Sequence, residues 1–129
     1  MAEPLIFVNT YQVKEGQLEA YRQATRGWFA WNESEHPRLV HHQVYAGEDG
    51  SEVTNIQLHP DSDSMALQMQ LVADVHGRWQ EFIDWSTMRI QLYGAPSDDL
   101  LTQLQQIAGS GVPVTIRSPV GGFTRVPAV

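Results

Sequence analysis

Residues 5–21 read LIFVNTYQVKEGQLEAY, and this stretch decides the fold. Leu5 to Val13 is dense in β-branched and aromatic residues and closes at Lys14-Glu15-Gly16, the pattern of a strand ending in a turn. From Gln17 the period changes. Leu18, Tyr21, Ala24/Thr25, Trp28 and Trp31 recur every three or four residues until His36 meets Pro37, which predicts an amphipathic helix ending there.

Working outward, Arg38 to Tyr45 and Ser51 to Leu58 flank Gly47-Glu48-Asp49-Gly50 and predict an antiparallel hairpin. Possible caps among residues 59–64 precede Met65, Met69, Val72, His76, Trp79 and Ile83, a second helix period. Thr87 to Tyr93 alternates as a fourth strand up to Gly94-Ala95-Pro96. Ser97 with Asp98 and Asp99 can cap a third helix bearing Leu100, Leu101, Leu104 and Ile107, which stops at Gly109-Ser110-Gly111. Val112 to Arg117 is expected as an edge strand, because Pro113 cannot donate a ladder bond.

The order β-α-β-β-α-β is the ferredoxin-like, split βαβ arrangement: an α+β fold whose antiparallel sheet carries both helices on one face, here with an extra C-terminal helix and strand. At 129 residues it is expected to form one domain, with its core at 5–93 and an extension at 96–129. The other sheet face must meet water or a second subunit, and two such faces together would form a dimeric α+β barrel.

Composition narrows the partners. Net charge is -7, with eight Lys plus Arg and no basic run, which argues against nucleic acid and membrane surfaces. Without cysteine there is no thiol nucleophile, thiolate metal site or disulfide. The N-terminal apolar run is too short for a signal peptide or a span, so the expected location is cytoplasmic.

Alternation sorts the strand residues onto faces. Thr54, Ile56, Leu58 with Met88, Ile90, Leu92 form an apolar set expected to face the helices; Val53, Asn55, Gln57 with Arg89, Gln91, Tyr93 form the polar set. Asn9 lies mid-strand in an apolar segment, where periodicity leaves its face open and its amide requires a neighbour, water or a ligand. His76 on the second helix reads as a core histidine or as a base or ligand. Trp28, Trp31, Trp79 and Trp85 read as packing or as walls for a flat ligand, and Arg89 as an anion partner or an ion pair across a dimer.

The segments FVNTYQVKEGQLEAYRQA, HPDSDSMALQMQLVADVHGRWQEF and TMRIQLYG, with the hairpin between them, resemble the antibiotic biosynthesis monooxygenase family of the dimeric α+β barrel superfamily over about residues 5 to 93. The resemblance implies a homodimer and a cofactor-independent monooxygenase acting on a small aromatic molecule of anthrone or quinol type. Carried onto this chain, it nominates Asn9, Trp79 and Arg89, with Tyr11, Asn55 and Tyr93 as secondary, substrate-binding candidates; Trp28, from the tryptophans read as pocket walls, joins them as a substrate contact. Haem-degrading relatives imply an alternative in which Asn9 and His76 serve a bound haem, although Trp79 follows the histidine here where the relatives' tryptophan precedes it. A non-catalytic binding or structural dimer module is the third expectation. The region after Pro96 is expected to pack across the dimer or to close a pocket mouth.

Overall fold

The computed structural model describes residues 4–79, 81–109 and 111–125, with side chains for all of these except 72–78. Eight elements follow in order: β1 (Leu5–Val13), α1 (Leu18–Glu35), β2 (His41–Ala46), β3 (Glu52–His59), α2 (Ser62–Trp79), β4 (Ile83–Tyr93), α3 (Asp98–Ala108) and β5 (Val114–Arg117). They build one five-stranded sheet of order β2-β3-β1-β4-β5, antiparallel except for the β4–β5 pair, which is parallel. No helix among the described residues is long and apolar enough to cross a membrane.

Local chemistry explains the boundaries. Gly16 (φ 81) and Gly50 (φ 77) supply left-handed backbone at the two tight turns flanking the first helix and the hairpin. Asp61 Oδ1 accepts from Ser64 N at 2.9 Å at the start of α2, and Ser97 Oγ accepts from Leu100 N at 3.2 Å at the start of α3, each satisfying an otherwise orphaned amide. Ile83 begins β4 and does not continue α2, so the second helix is a turn shorter than its heptad-like spacing predicts.

The core lies between the sheet and the helices, with Leu5, Met65, Leu92, Leu100 and Leu104 fully buried. Strand β1 turns Leu5, Phe7, Asn9, Tyr11 and Val13 inward, which settles the face of Asn9. Strand β3 reverses the expected faces: Val53, Asn55, Gln57 and His59 point to the helices, while Thr54, Ile56 and Leu58 lie on the uncovered side. The reversal is possible because the buried polar groups of β3 find partners on other elements, described below. On β4, Met88, Ile90 and Leu92 do face the helices.

The β1–β4 ladder breaks between Thr10, paired with Arg89, and Gln12, paired with Asp84. Four residues, 85–88, oppose the single Tyr11, a bulge stitched down by Thr87 Oγ1, which accepts from Gln12 N at 2.8 Å and donates to Asp84 O at 2.6 Å. An extra stretch of this kind shifts the two-residue period, so Trp85 and Met88 both reach the covered face although they are three apart.

Candidate active site

A cavity of about 100 Å³ opens between the sheet and the helices. Its floor is Phe7, Asn9 and Tyr11 of β1, His42 and Val44 of β2, Asn55 and Gln57 of β3, and Trp85, Met88 and Ile90 of β4. Its walls are Tyr21, Thr25, Trp28 and Phe29 of α1, Met69 and Trp79 of α2, and Leu104, Ile107 and Ala108 of α3. No lysine, arginine, aspartate or glutamate is among the described residues lining it.

Aromatic side chains dominate the walls because the α1 period places one every turn. Trp28 stacks on Trp31 at 5.3 Å and 14° and meets Trp79 edge-on at 6.2 Å, while Tyr21 meets Trp79 edge-on at 6.0 Å. The hydroxyls of Tyr11 and Tyr21 lie 2.5 Å apart in a buried hydrogen bond. Burial pushes both phenols above their usual range, most strongly Tyr11, whose neighbour Tyr21 adds to the effect; for Tyr21 the bond to Tyr11 works against the rise.

Two carboxamides stand out on the floor. Asn9 and Asn55 are directly paired residues of the β1–β3 ladder, so their side chains emerge together on the covered face. The Oδ1 atoms of both are buried and accept no hydrogen bond, and Asn9 Nδ2 reaches only the weakly accepting Sδ of Met88 at 3.5 Å. A buried acceptor without a donor costs about 1–3 kcal/mol, so this pair is set up for something that donates.

Beside them a buried polar chain runs away from the cavity. Gln57 Nε2 lies 3.5 Å from His42 Nε2, Gln57 Oε1 lies 2.9 Å from His59 Nε2, His59 Nδ1 lies 3.0 Å from Ser64 Oγ, and Ser64 Oγ lies 3.3 Å from His36 Nε2. At its far end His36 Nδ1 is 2.8 Å from Gln68 Oε1. Outside this chain Asp61 receives the Ser64 amide and the guanidinium of Arg38. Burial, reinforced by the other histidines, lowers His59 to about 3. Burial likewise lowers His42 to about 4, opposed by the adjacent Asn55 amide and aided by His41 and His36. Both rings are therefore neutral near neutral pH.

The structure thus brings Asn9, Tyr11, Trp28, Asn55 and Trp79 around one cavity. Arg89 and Tyr93 lie on the opposite face of the sheet, where Arg89 borders a shallow groove with Thr10, Gln12, Glu52 and Thr87, and Tyr93 donates to Gln91 at 3.2 Å. Alternation alone accounts for this: on β4 the positions next to Met88, Ile90 and Leu92 must point outward. The side chain of His76 lies outside the described residues. His42 and Gln57 belong to the site without having been nominated. The signal available for His42 was its two-residue spacing from Val44, and for Gln57 its spacing from Asn55. Of the C-terminal extension, α3 lines the cavity, whereas Val120 and Phe123 of the tail remain exposed.

No family model matches the sequence, and no curated protein is similar to it. Solved structures are similar in fold. MupZ from Pseudomonas fluorescens superposes with a TM-score of 0.71 at 13% identity, covering 98% of this chain and 98% of its own. A proposed antibiotic biosynthesis monooxygenase from Nitrosomonas europaea gives 0.63 at 12% identity over 74% of this chain and 92% of its own. SnoaB, a cofactor-independent oxygenase from Streptomyces nogalater, gives 0.53 at 21% identity over 74% of this chain and 96% of its own. The resemblance expected from the sequence therefore holds at the level of fold.

Proposed function

We propose that this chain, which has the fold of the antibiotic biosynthesis monooxygenases, is a cofactor-independent oxygenase for a small, uncharged hydroxyaromatic bound beside Asn9. The observation that carries the reading is the paired, donor-less oxygens of Asn9 and Asn55 in an aromatic cavity whose described lining residues carry no formal charge. A ring lies against the aromatic wall that Trp28 and Trp79 form, and its hydroxyl donates to one of the orphaned oxygens. When the hydroxyl ionises, the Asn9 amide has little to lose by turning from Met88 to donate to the oxyanion.

An electron-rich phenolate or enolate reacts directly with dioxygen, so a site of this kind needs to favour the anion and keep water out. For an activated ring methylene the balance closes without a cofactor. Both its C–H bonds break, one oxygen atom enters as the carbonyl, and the other leaves as water with the two hydrogens.

Volume limits the substrate. A cavity of about 100 Å³ approaches the size that holds one benzene ring, so a single ring, or one end of a larger system, is enclosed. Trp79, central to the wall, then serves as a stacking surface. Arg89 acts elsewhere, on the uncovered sheet face. We assign that face to a homodimer contact, since Ile6 and Tyr45 on it are 41% and 49% exposed and Val8, Ile56 and Leu58 lie between them.

The test is oxygen uptake with a panel of hydroquinones and anthrones, comparing the protein with Asn9→Ala. Turnover that drops at least about tenfold in the variant supports the reading. Quenching of tryptophan fluorescence by these compounds without oxygen uptake by either protein would instead make the chain a binding module.

A further inference from the structure

Among the described residues that line the cavity, three can titrate: Tyr11, Tyr21 and His42. The two phenols are committed to each other in a 2.5 Å bond and hold their protons well past neutral pH. Ionising a bound hydroxyl requires an acceptor for its proton, and among these described residues the imidazole is the one whose lone pair is available at neutral pH.

The buried chain behind the imidazole determines which of its nitrogens is free of a proton. Gln57 Oε1 can only accept, so His59 donates to it from Nε2, and its Nδ1, 3.0 Å from Ser64 Oγ, is then the unprotonated nitrogen of that ring. With its oxygen occupied by His59, the Gln57 carboxamide presents N–H to His42 Nε2, and a ring nitrogen facing N–H is itself unprotonated. Asn32 Nδ2 lies 3.2 Å from Nδ1, so both ring nitrogens face an amide nitrogen, and since a neutral ring carries one proton, one amide must present its oxygen. Asn32, whose Oδ1 is unpartnered, is free to turn where Gln57 is held by His59, which puts the ring proton on Nδ1. We infer that His42 is the proton acceptor of the cavity: Nε2 gives up its long 3.5 Å contact with the Gln57 N–H and takes the proton of the bound hydroxyl, the electron pair stays on the substrate oxygen, and before substrate arrives the Gln57-His59 chain holds the ring in the tautomer that makes this possible.

The surroundings also fit the product of that transfer. An imidazolium needs acceptors for two N–H groups. Asn32 lies on the Nδ1 side, its Nδ2 3.2 Å away and its own Oδ1 buried and unpartnered, so a half-turn of the amide offers the oxygen; Asn55 Oδ1 is a second unpartnered acceptor next to the ring. The Nε2–H faces the oxyanion it has just created, and the Gln57 N–H is available to that same oxygen. Burial keeps the resting ring neutral, near 4, so the lone pair is present before substrate arrives, and only an adjacent anion offsets the cost of charging it. Phe29 packs edge-on at 4.8 Å and holds the ring plane.

This inference rests on the cavity reading above, and one experiment separates the two. The probe is para-nitrophenol, whose phenolate is yellow, added to the protein and to His42→Gln. Quenching of Trp28, Trp79 and Trp85 reports occupancy, and the yellow absorbance at saturating phenol reports ionisation. We expect the phenol bound to the natural protein to ionise at a pH lower by about one unit, an approximately tenfold greater ionised fraction, and this gain to vanish in the variant. Equal ionisation in both would overturn the role of His42 while leaving the cavity intact. Absence of quenching in the natural protein would overturn both. Nitrogen NMR of the histidine-labelled natural protein needs no variant: the His42 ring should gain a second N–H only in the complex, and a ring that stays neutral when the phenol is bound as its anion refutes the assignment.

Discussion

Asn9 and Asn55 face each other across the β1–β3 ladder with both carboxamide oxygens buried and neither accepting a hydrogen bond. A fold optimised for stability alone would place apolar residues there. Asn9→Leu, similar in size and free of the orphaned acceptor, is therefore expected to leave stability unchanged or raise it by about 1 kcal/mol while weakening phenol binding at least about tenfold. Thermal unfolding and tryptophan quenching check the two halves separately, and a loss of stability with binding intact would contradict both.

Acid should unfold this protein earlier than its carboxylates require. His42 and His59 are lowered to about 4 and about 3 in the fold against about 6.5 in the unfolded chain, so below about pH 6.5 the unfolded state binds more protons. Stability is complete above that pH and falls by up to about 1.4 kcal/mol per pH unit for each ring, until about pH 4 for His42 and about pH 3 for His59. Burial alone would raise Asp61, yet Arg38 and the Ser64 amide hold it below its ordinary value, which adds a further loss once the pH falls through the carboxylate range. Urea unfolding at a series of pH values should show the decline start in the histidine range and be shallower in His42→Gln.

On the uncovered sheet face, Ile56 stands between Val8 of β1 and Gln43 of β2. A contact of the standard size, on the order of 1,600 Å² in total, would cover it. Light scattering is expected to give twice 14.5 kDa, and Ile56→Lys to return the mass to 14.5 kDa without loss of secondary structure. A natural protein that scatters as a monomer at micromolar concentration would rule the dimer out.

Gly94 ends β4 with φ 132, and a Cβ there would lie 2.5 Å from Leu5 Cδ2 and 3.0 Å from Pro4 O. Strained backbone and collision with a fully buried leucine combine in Gly94→Ala. We expect a loss of about 2–4 kcal/mol, seen as a fall of the unfolding midpoint with an unchanged denaturant slope.

The sequence made β1 and α1 readable because each obeys a single period and ends at a recognisable breaker. Strand β3 was readable as a strand but not by face. Its inward positions Asn55, Gln57 and His59 are polar, and what makes their burial tolerable lies on β2 and α2, in His42 and Ser64, beyond the reach of any local pattern. The start of β4 was hidden for another reason: the bulge at 85–88 shifts the phase, so Trp85 and Met88 share a face that strict alternation denies them. Of the nominated pocket residues, Asn9, Tyr11, Trp28, Asn55 and Trp79 converge. Arg89 and Tyr93 were grouped with Asn55 by polarity, whereas the sheet separates them to its two sides.

Helix α3 has its own start at Ser97 and its own stop at Gly109 (φ 78), and it leans on α2 through Gln103, which donates to Ala66 O at 3.1 Å. It nevertheless contributes Leu104, Ile107 and Ala108 to the cavity wall. Substrate range can therefore drift, in evolution or by design, through residues that no strand pairing depends on: enlarging Ala108 or trimming Ile107 resizes the chamber while the asparagines, the histidine and the sheet that carries them stay in register.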